Sequence, residues 1–360
     1  MKYKYWLDRC LSQTSLKRML AMELQGAERV YRASEEQLMA CGLNRDEYEK
    51  LVRGRQEIDP DEGLKYLQNQ EIGIVTIEDR EYPTLLKEVP DHPYALYYKG
   101  TFPADFSHNI AIVGARKCSG YGSWAAEELA YRLANNGFTI VSGMAAGIDG
   151  ASHYGALKAE GKTIAVLGCG VDVCYPASNR SLYNKIIEKG CVISEYLPGQ
   201  APLSTLFPQR NRIISALSQK VVVVEAKRKS GSLITADFAL EQGKDLYAIP
   251  GRINDKLSEG TNQLLYQGAL PLVSIDGFLD DIYELDDSAK RYERLHDTGK
   301  IHLEKAEALV YSSFDFYPVG LESIAVKSGL PIFEVIEAID RLLELGLIRE
   351  CFHNQYIRTQ

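Results

Sequence analysis

Six short stretches of this chain combine residue types suited to holding an anion. They are Gly114-Ala115-Arg116-Lys117, Ser142-Gly143-Met144-Ala145-Ala146-Gly147-Ile148-Asp149, Gly168-Cys169-Gly170, Phe207-Pro208-Gln209-Arg210-Asn211-Arg212, Lys227-Arg228-Lys229-Ser230-Gly231-Ser232 and Pro250-Gly251-Arg252. Glycine lets backbone N–H groups come close to a phosphate. A helix start offers free N–H groups and a partial positive charge. Arginine adds a planar, bidentate, permanently charged donor. One such loop is weak evidence; six on a common edge describe a phosphate site. Two nucleotide fingerprints are missing. The first stretch has no G-x-G-x-x-G register, and no G-x-x-x-x-G-K-[ST] string occurs, so neither a dinucleotide nor a P-loop cofactor is expected. No cofactor is expected at all.

The elements that would position these stretches are legible. Apolar runs at 110–114, 138–142, 163–167, 191–194, 221–225, 246–249 and 272–274 read as strands, and each of the six stretches comes after one of them. Helical patterns lie between, as in 121–134, where Ala126, Leu129, Ala130 and Leu133 keep the i, i+3, i+4, i+7 spacing. Short, fully apolar strands alternating with helices predict an α/β fold with a doubly wound parallel sheet covered on both faces. In such sheets the ligand lies outside the carboxyl ends of the strands.

Residues 1–60 read as a small helical domain of the SAM or helix-hairpin-helix kind, and 61–280 as the α/β domain. A polar, acidic linker is expected at 281–300. Residues 301–360 read as helix, turn, helix and hairpin, a winged helix, in which Ile332, Val335, Ile336, Ile339, Leu342 and Leu343 give the second helix its apolar face. That helix also carries Glu334, Glu337, Asp340 and Glu344 against Arg341, so phosphate should repel it, and a protein contact or spacer role is expected.

The chain has 360 residues, enough for two or three domains, with 45% hydrophobic and 25% charged residues. No apolar run approaches the ~18 residues of a membrane helix, and the polar, aromatic start has no signal-peptide core. Seven scattered cysteines without a C-x-x-C pair read as reduced thiols. A cytoplasmic protein with no membrane partner is expected. The net charge of −8 argues against a generally basic, nucleic-acid-binding surface. Any polyanion must therefore be held in a local pocket.

Taken in order, Val113-Gly114-Ala115-Arg116, Val141-Ser142-Gly143 with Gly147-Ile148-Asp149 and His153, Ala165-Val166-Leu167-Gly168, Phe207-Pro208-x-Arg210-Asn211-Arg212-Ile213-Ile214, Ser230-Gly231-Ser232-Leu233-x-Thr235-Ala236 and Pro250-Gly251 resemble the DNA-processing protein A family (DprA/Smf). The resemblance spans about 110–275. It implies an extended Rossmann-like domain, often flanked by a small helical domain and a winged helix, that binds single-stranded DNA and loads the RecA recombinase, notably in natural transformation. It implies no catalysis. It also implies a DNA pocket using Arg116, the backbone around Ser142 and Gly143, Arg210, Arg212 and the Ser230-Gly231-Ser232 loop. Two positions depart from the family pattern: Ala115 stands where a serine is more frequent, and Ala177 where a basic residue is, leaving Arg180 as the nearest substitute. The resemblance further implies a homodimer through the late Rossmann domain, here the helix that carries Leu264 and Leu265.

Three other constellations stand apart from these loops. Asp149 and His153 are read as ordering the glycine loop and satisfying buried polar groups, since no third metal ligand stands at the right spacing. Glu225, at a strand end, carries the alternative reading, a nucleoside-monophosphate phosphoribohydrolase. Phe207 is the best base-stacking aromatic, with Tyr121 a further candidate, and Trp124 is expected in the core.

Overall fold

Six short helices precede the first strand: α1 (Lys2–Cys10), α2 (Thr14–Glu23), α3 (Ala27–Arg32), α4 (Glu35–Ala40), α5 (Arg45–Glu57) and α6 (Pro60–Asn69). Their starts are written in the sequence. Ser34 with Gln37 and Asn44 with Glu47 form capping boxes on α4 and α5, and Pro60 opens α6 behind Asp59, whose carboxylate accepts from the Asp61 N–H. They enclose Trp6, Leu7, Leu20, Leu38 and Leu51, all fully buried. The Trp6 indole N–H donates to the Gly54 carbonyl at 3.0 Å.

The sheet follows: β1 (Gly73–Thr76), α7 (Thr84–Lys87), β2 (Ala95–Gly100), β3 (Asn109–Val113), α8 (Gly120–Asn135), β4 (Thr139–Ser142), α9 (Ile148–Lys158), β5 (Thr163–Val166), α10 (Arg180–Lys189), β6 (Cys191–Ser194), α11 (Leu206–Ala216), β7 (Lys220–Val223), α12 (Gly231–Glu241), β8 (Asp245–Ala248), α13 (Glu259–Tyr266), β9 (Leu270–Pro271) and α14 (Ile275–Leu285). The strand order is β1-β2-β6-β5-β4-β3-β7-β8-β9. From β6 to β9 all pairs are parallel, with Ile110 on β3 opposite both Ile140 and Lys220. This is the expected Rossmann-like doubly wound sheet. The chain enters at β3, winds out to β6, and returns to β7 on the other side of β3. The crevice where a ligand fits therefore lies at the carboxyl ends of β3 and β7.

The computed structural model describes residues 1–285, 305–314, 319–345, 347–352 and 355–358. They divide into two compact units, Met1–Ile282 and Tyr283–Gln360. The helical layer at the N-terminus thus belongs to the same unit as the sheet. Its junction is an apolar core with one buried polar knot. The buried Asp8 carboxylate accepts from Lys17 Nζ at 2.7 Å and from the Tyr97 hydroxyl at 2.6 Å, tying α1 and α2 to strand β2.

Several expectations need correction. Strand β2 went unread because Pro90 and Pro93 stand just before it; with β1 it adds an antiparallel edge to the sheet. The last strand is Leu270–Pro271 rather than 272–274. Helix α14 runs to Leu285, through the first residues of the expected linker at 281–300, whose remainder lies outside the described residues. Trp124 is not core: it is 59% exposed, because Ala125, Ala126, Leu129, Ala130 and Leu133 fill the inner face of α8. Leu264 is buried in the sheet's own core and Leu265 packs partly buried against it, so neither is a free surface residue.

The second unit contains α15 (Lys305–Ser312), β10 (Val319–Gly320), α16 (Leu321–Ser328), α17 (Ile332–Glu344), β11 (Ile348–Phe352) and β12 (Gln355–Arg358), with an antiparallel sheet in the order β10-β12-β11. Gly329, at φ +70°, ends α16 in the left-handed conformation that favours glycine. Val335, Ile339 and Leu342 face the unit's core with Val310 and Ile324, whereas Ile332 and Ile336, expected on the same face, are exposed.

The Asp8 junction yields a prediction. Removing one partner of a buried charge pair leaves the other uncompensated, at about 3–5 kcal/mol. Asp8→Ala should therefore lower unfolding stability by roughly that amount in a denaturant titration, in a single transition shared by the helical layer and the sheet. Two separate transitions in the wild type would show that the two layers are independent.

Candidate functional site

A cavity of about 500 Å³ opens at the carboxyl edge, between the loops that follow β3 and β7. Its cations are Arg116, Lys117, Arg210, Lys227 and Lys229, and one acid, Asp149, accompanies them. Gly114 and Ala115 come from the first loop, Phe207 and Asn211 from α11, and Ser230, Gly231 and Ser232 from the start of α12. Ser230 is the N-cap of α12, yet its side chain caps no N–H of that helix; its hydroxyl lies 2.8 Å from that of Ser232. The first N–H groups of α12 thus face a cavity ringed by positive charge, the arrangement that attracts an anion.

The string Phe207–Arg212 was read as a loop but forms the first turns of α11, with Pro208 in the first turn, where a missing N–H is tolerated. This decides the fate of its two arginines. Residues two apart on a helix point about 200° away from each other, so Arg210 and Arg212 cannot share a pocket. Arg210 turns inward. Its Nη1 donates to the Val166 carbonyl, and its Nε, although buried, has no partner among the described residues. A Cβ on residue 143 would collide with this guanidinium, which is why Gly143 stands there. Arg212 turns to the far side, donating from Nη2 to Glu195 Oε2 at 2.6 Å, with Asp91 at 3.9 Å from its Nε. It is a structural ion pair, and its assignment to the DNA pocket is corrected.

The electrostatics follow from burial. Desolvation lowers the Arg210 guanidinium's proton affinity, Asp149 opposes this, and the neighbouring Arg116 adds to it. Asp149 is pushed above the ordinary carboxylate range by burial, against the pull of Arg210, Arg116 and the N–H groups of Ala145 and Gly143. Its expected role, ordering the glycine loop, is the one these bonds perform. Glu195, which Arg212 draws down, is likewise raised by desolvation. His153 is wholly buried with Nδ1 2.6 Å from Thr163 Oγ1, and burial drops its pKa to about 3, so it stays neutral.

Other expected site residues serve the scaffold. Ser142 is fully buried and its hydroxyl donates to the Ile112 carbonyl at 2.6 Å. Gly147, at φ +81°, lets the backbone pass close to the Ala115 carbonyl. Arg180 is exposed at the start of α10, over the Tyr183 ring at 5.7 Å, and does not line the cavity. Glu225 is also absent from the lining. It accepts the Ser119 N–H at 2.9 Å and the Ser119 hydroxyl, anchoring the start of α8. Asn211 lines the cavity and donates from Nδ2 to the Gly231 carbonyl at 3.2 Å, fastening α11 to α12.

Phe207, read from the sequence as the best base-stacking aromatic, stands at the cavity. It lines the cavity with the Arg116 guanidinium 5.4 Å from its ring centroid and the Tyr175 ring at 5.3 Å. Lys227 and Lys229, part of one of the six anion-holding stretches but outside the pocket that the family resemblance implies, also line the cavity.

Comparison with known proteins identifies the family and its fold. Residues 73–283 match the family model described as DNA recombination-mediator protein A. DNA processing protein DprA of Streptococcus pneumoniae is 47% identical over 194 residues, which are 54% of this chain and 68% of that protein. Protein Smf of Escherichia coli is 36% identical over 289 residues, 79% of this chain and 76% of its own. The X-ray structure of the Streptococcus pneumoniae protein superposes with a TM-score of 0.66 at 36% identity, covering 78% of this chain and 97% of that one. DNA processing protein A of Helicobacter pylori, a protein with a single-stranded DNA binding mode, superposes at 0.54 with 32% identity, covering 60% and 98%. With its crevice, its Phe207–Arg210 turn and its glycine loops in the matched segment, this chain belongs to the DNA recombination-mediator protein A family.

Proposed function

We propose that the protein binds single-stranded DNA in the carboxyl-edge cavity and delivers it to a RecA-type recombinase, as in natural transformation, without catalysing a reaction. One observation carries the reading: five cations and one acid line the cavity of a chain whose net charge is −8. The N–H groups at the start of α12 add donors for phosphate oxygens. Phe207, with Arg116 and Tyr175 beside it, lines the cavity as the ring on which a base would stack. The single-stranded DNA binding mode of the Helicobacter pylori relative supports the same ligand. No described helix is long and apolar enough to cross a membrane, and a cytoplasmic site of action accords with the reading.

The second unit is read as a winged helix that does not hold the strand. The exposed positions of α17 include Glu337, Asp340 and Glu344, an acidic face that phosphate avoids. A homodimer is also part of this reading. Since Leu264 is core, the surface that fits a self-complementary contact is the neighbouring apolar one: Tyr266 is 93% exposed and Val273 77%, with Leu270 also open. Two linked pockets on one strand raise the effective concentration of each.

Three outcomes are expected. If about four phosphates are neutralised, affinity for an oligodeoxythymidine falls with log salt at a slope of roughly −3. Arg116→Ala should then weaken binding roughly ten-fold and make that slope shallower by about 0.7, as read by fluorescence anisotropy. Unchanged binding in that variant would remove Arg116 and this cavity from the reading. Glu225→Gln should keep wild-type affinity while losing about 1–3 kcal/mol of stability, because a charged acceptor of the Ser119 hydrogen bonds is lost. Release of free base from a nucleoside monophosphate by the wild type, abolished in this variant, would replace the binding reading with the hydrolase one. Tyr266→Glu should sediment as a monomer that keeps affinity for short strands. A wild type already monomeric at micromolar concentration contradicts the dimer.

A further inference from the structure

Two large aromatic side chains stand open to solvent on one turn of α8. Tyr121 is 58% exposed and Trp124 is 59% exposed. Their ring centroids lie 6.0 Å apart with planes inclined by 37°. Neither is needed by the core, since the inner face of α8 is filled by small and branched residues. A clustered pair of exposed aromatics has a use when a ligand covers it.

The turn is held rigidly beside the cavity. Ser119 caps α8 by accepting the Gly122 N–H at 2.9 Å, and its own N–H and hydroxyl are fixed on Glu225, which follows β7. Lys117, two residues before that cap, lines the cavity. Tyr121 stands five steps along the chain from Arg116, a span of at most about 18 Å. A few nucleotides of extended strand bridge that distance. Along the chain, Arg116, whose guanidinium lies over the Phe207 ring, is followed by Lys117, Tyr121 and Trp124. Cations for phosphates are joined by rings for bases, the composition of a track for an unpaired strand.

We infer that Tyr121 and Trp124 form a second base-stacking platform, outside the cavity, that holds the same single strand once it has left the Phe207 pocket. The inference rests on the single-stranded DNA reading of the cavity. The occupant is nucleic acid rather than protein because the pair continues from the cavity's own cations along one short, anchored segment, and those cations match a phosphate backbone. The platform takes any base, since every base has a stacking face, and it sets the length of strand protected rather than its sequence.

Strand length separates the platform from the pocket. An oligodeoxythymidine of about 3 nucleotides is confined to the cavity, and one of about 20 reaches both. The double variant Tyr121→Ala, Trp124→Ala should bind the short strand as the wild type does and the long strand roughly ten-fold more weakly. Trp124→Phe, which keeps a ring, should restore most of the loss. The chain's other tryptophan, Trp6, is fully buried, so acrylamide quenching reports Trp124. The long strand should shield it and the short one should not. Equal affinity of the double variant and wild type for the long strand overturns the platform, as does an equal loss on both strands or a change of oligomeric state with DNA affinity intact. Arg116→Ala on the same two strands keeps the readings apart. If that variant weakens both strands while the double variant changes neither, the platform fails and the pocket stands; if neither variant weakens either strand, the pocket reading has failed.

Discussion

Arg210 is buried beneath the carboxyl edge, and a guanidinium taken out of water must be paired or its desolvation goes uncompensated. The partners it finds, the Val166 carbonyl and the charge of Asp149, come from two different strand ends. Meeting them draws α11 across the ends of β4 and β5 and requires a bare backbone at Gly143. Asp149 in turn collects the N–H groups of Gly143 and Ala145, which shapes the loop leading into α9. With that loop in place, Phe207, one turn earlier on α11, stands beside Arg116, and the wall of the cavity exists. One buried cation thus couples three loops that are far apart in the chain.

The same arrangement keeps a positive cavity on an acidic protein. The overall field of a chain at −8 repels phosphate, but the Debye length at physiological salt is only about 8 Å. Within that range an anion in the crevice would feel Arg116, Lys117, Lys227 and Lys229 before the acids of distant faces. Glu225 and Glu195, the acids nearest to the edge in sequence, are both turned to structural work, the first on Ser119 and the second on Arg212. The edge stays positive because its carboxylates are spent inside the fold.

The helical layer does for the sheet's outer end what the crossover helices do for its middle. Antiparallel β1 and β2 extend the sheet beyond β6, and an added strand needs a cover. Helices α1 to α6 supply apolar cover through Trp6, Leu7 and their neighbours, which join one core with Tyr97 and Val192. The polar knot of Asp8, Lys17 and Tyr97 fixes the register of that cover, since a buried carboxylate accepts only a narrow set of placements.

Much of this was determined by the sequence alone. The strands from β3 to β8 could be read because fully buried parallel strands need unbroken apolar runs, and the loops after them because glycine and arginine have few substitutes beside a phosphate. The family could be read from the order of those loops. Direction and depth were decided by tertiary structure. Whether Arg210 or Arg212 faces the crevice depends on Phe207–Ala216 being helical from its first residues, and helix phase is not fixed until α11 docks. Whether Leu264 or Tyr266 meets solvent depends on which side of α13 lies on the sheet, and both are apolar enough for either place. Trp124 looked like core because large aromatic residues usually are. Only the packing of α8 through its alanines and leucines left it outside, because burial belongs to the face an element presents and not to the residue that sits on it.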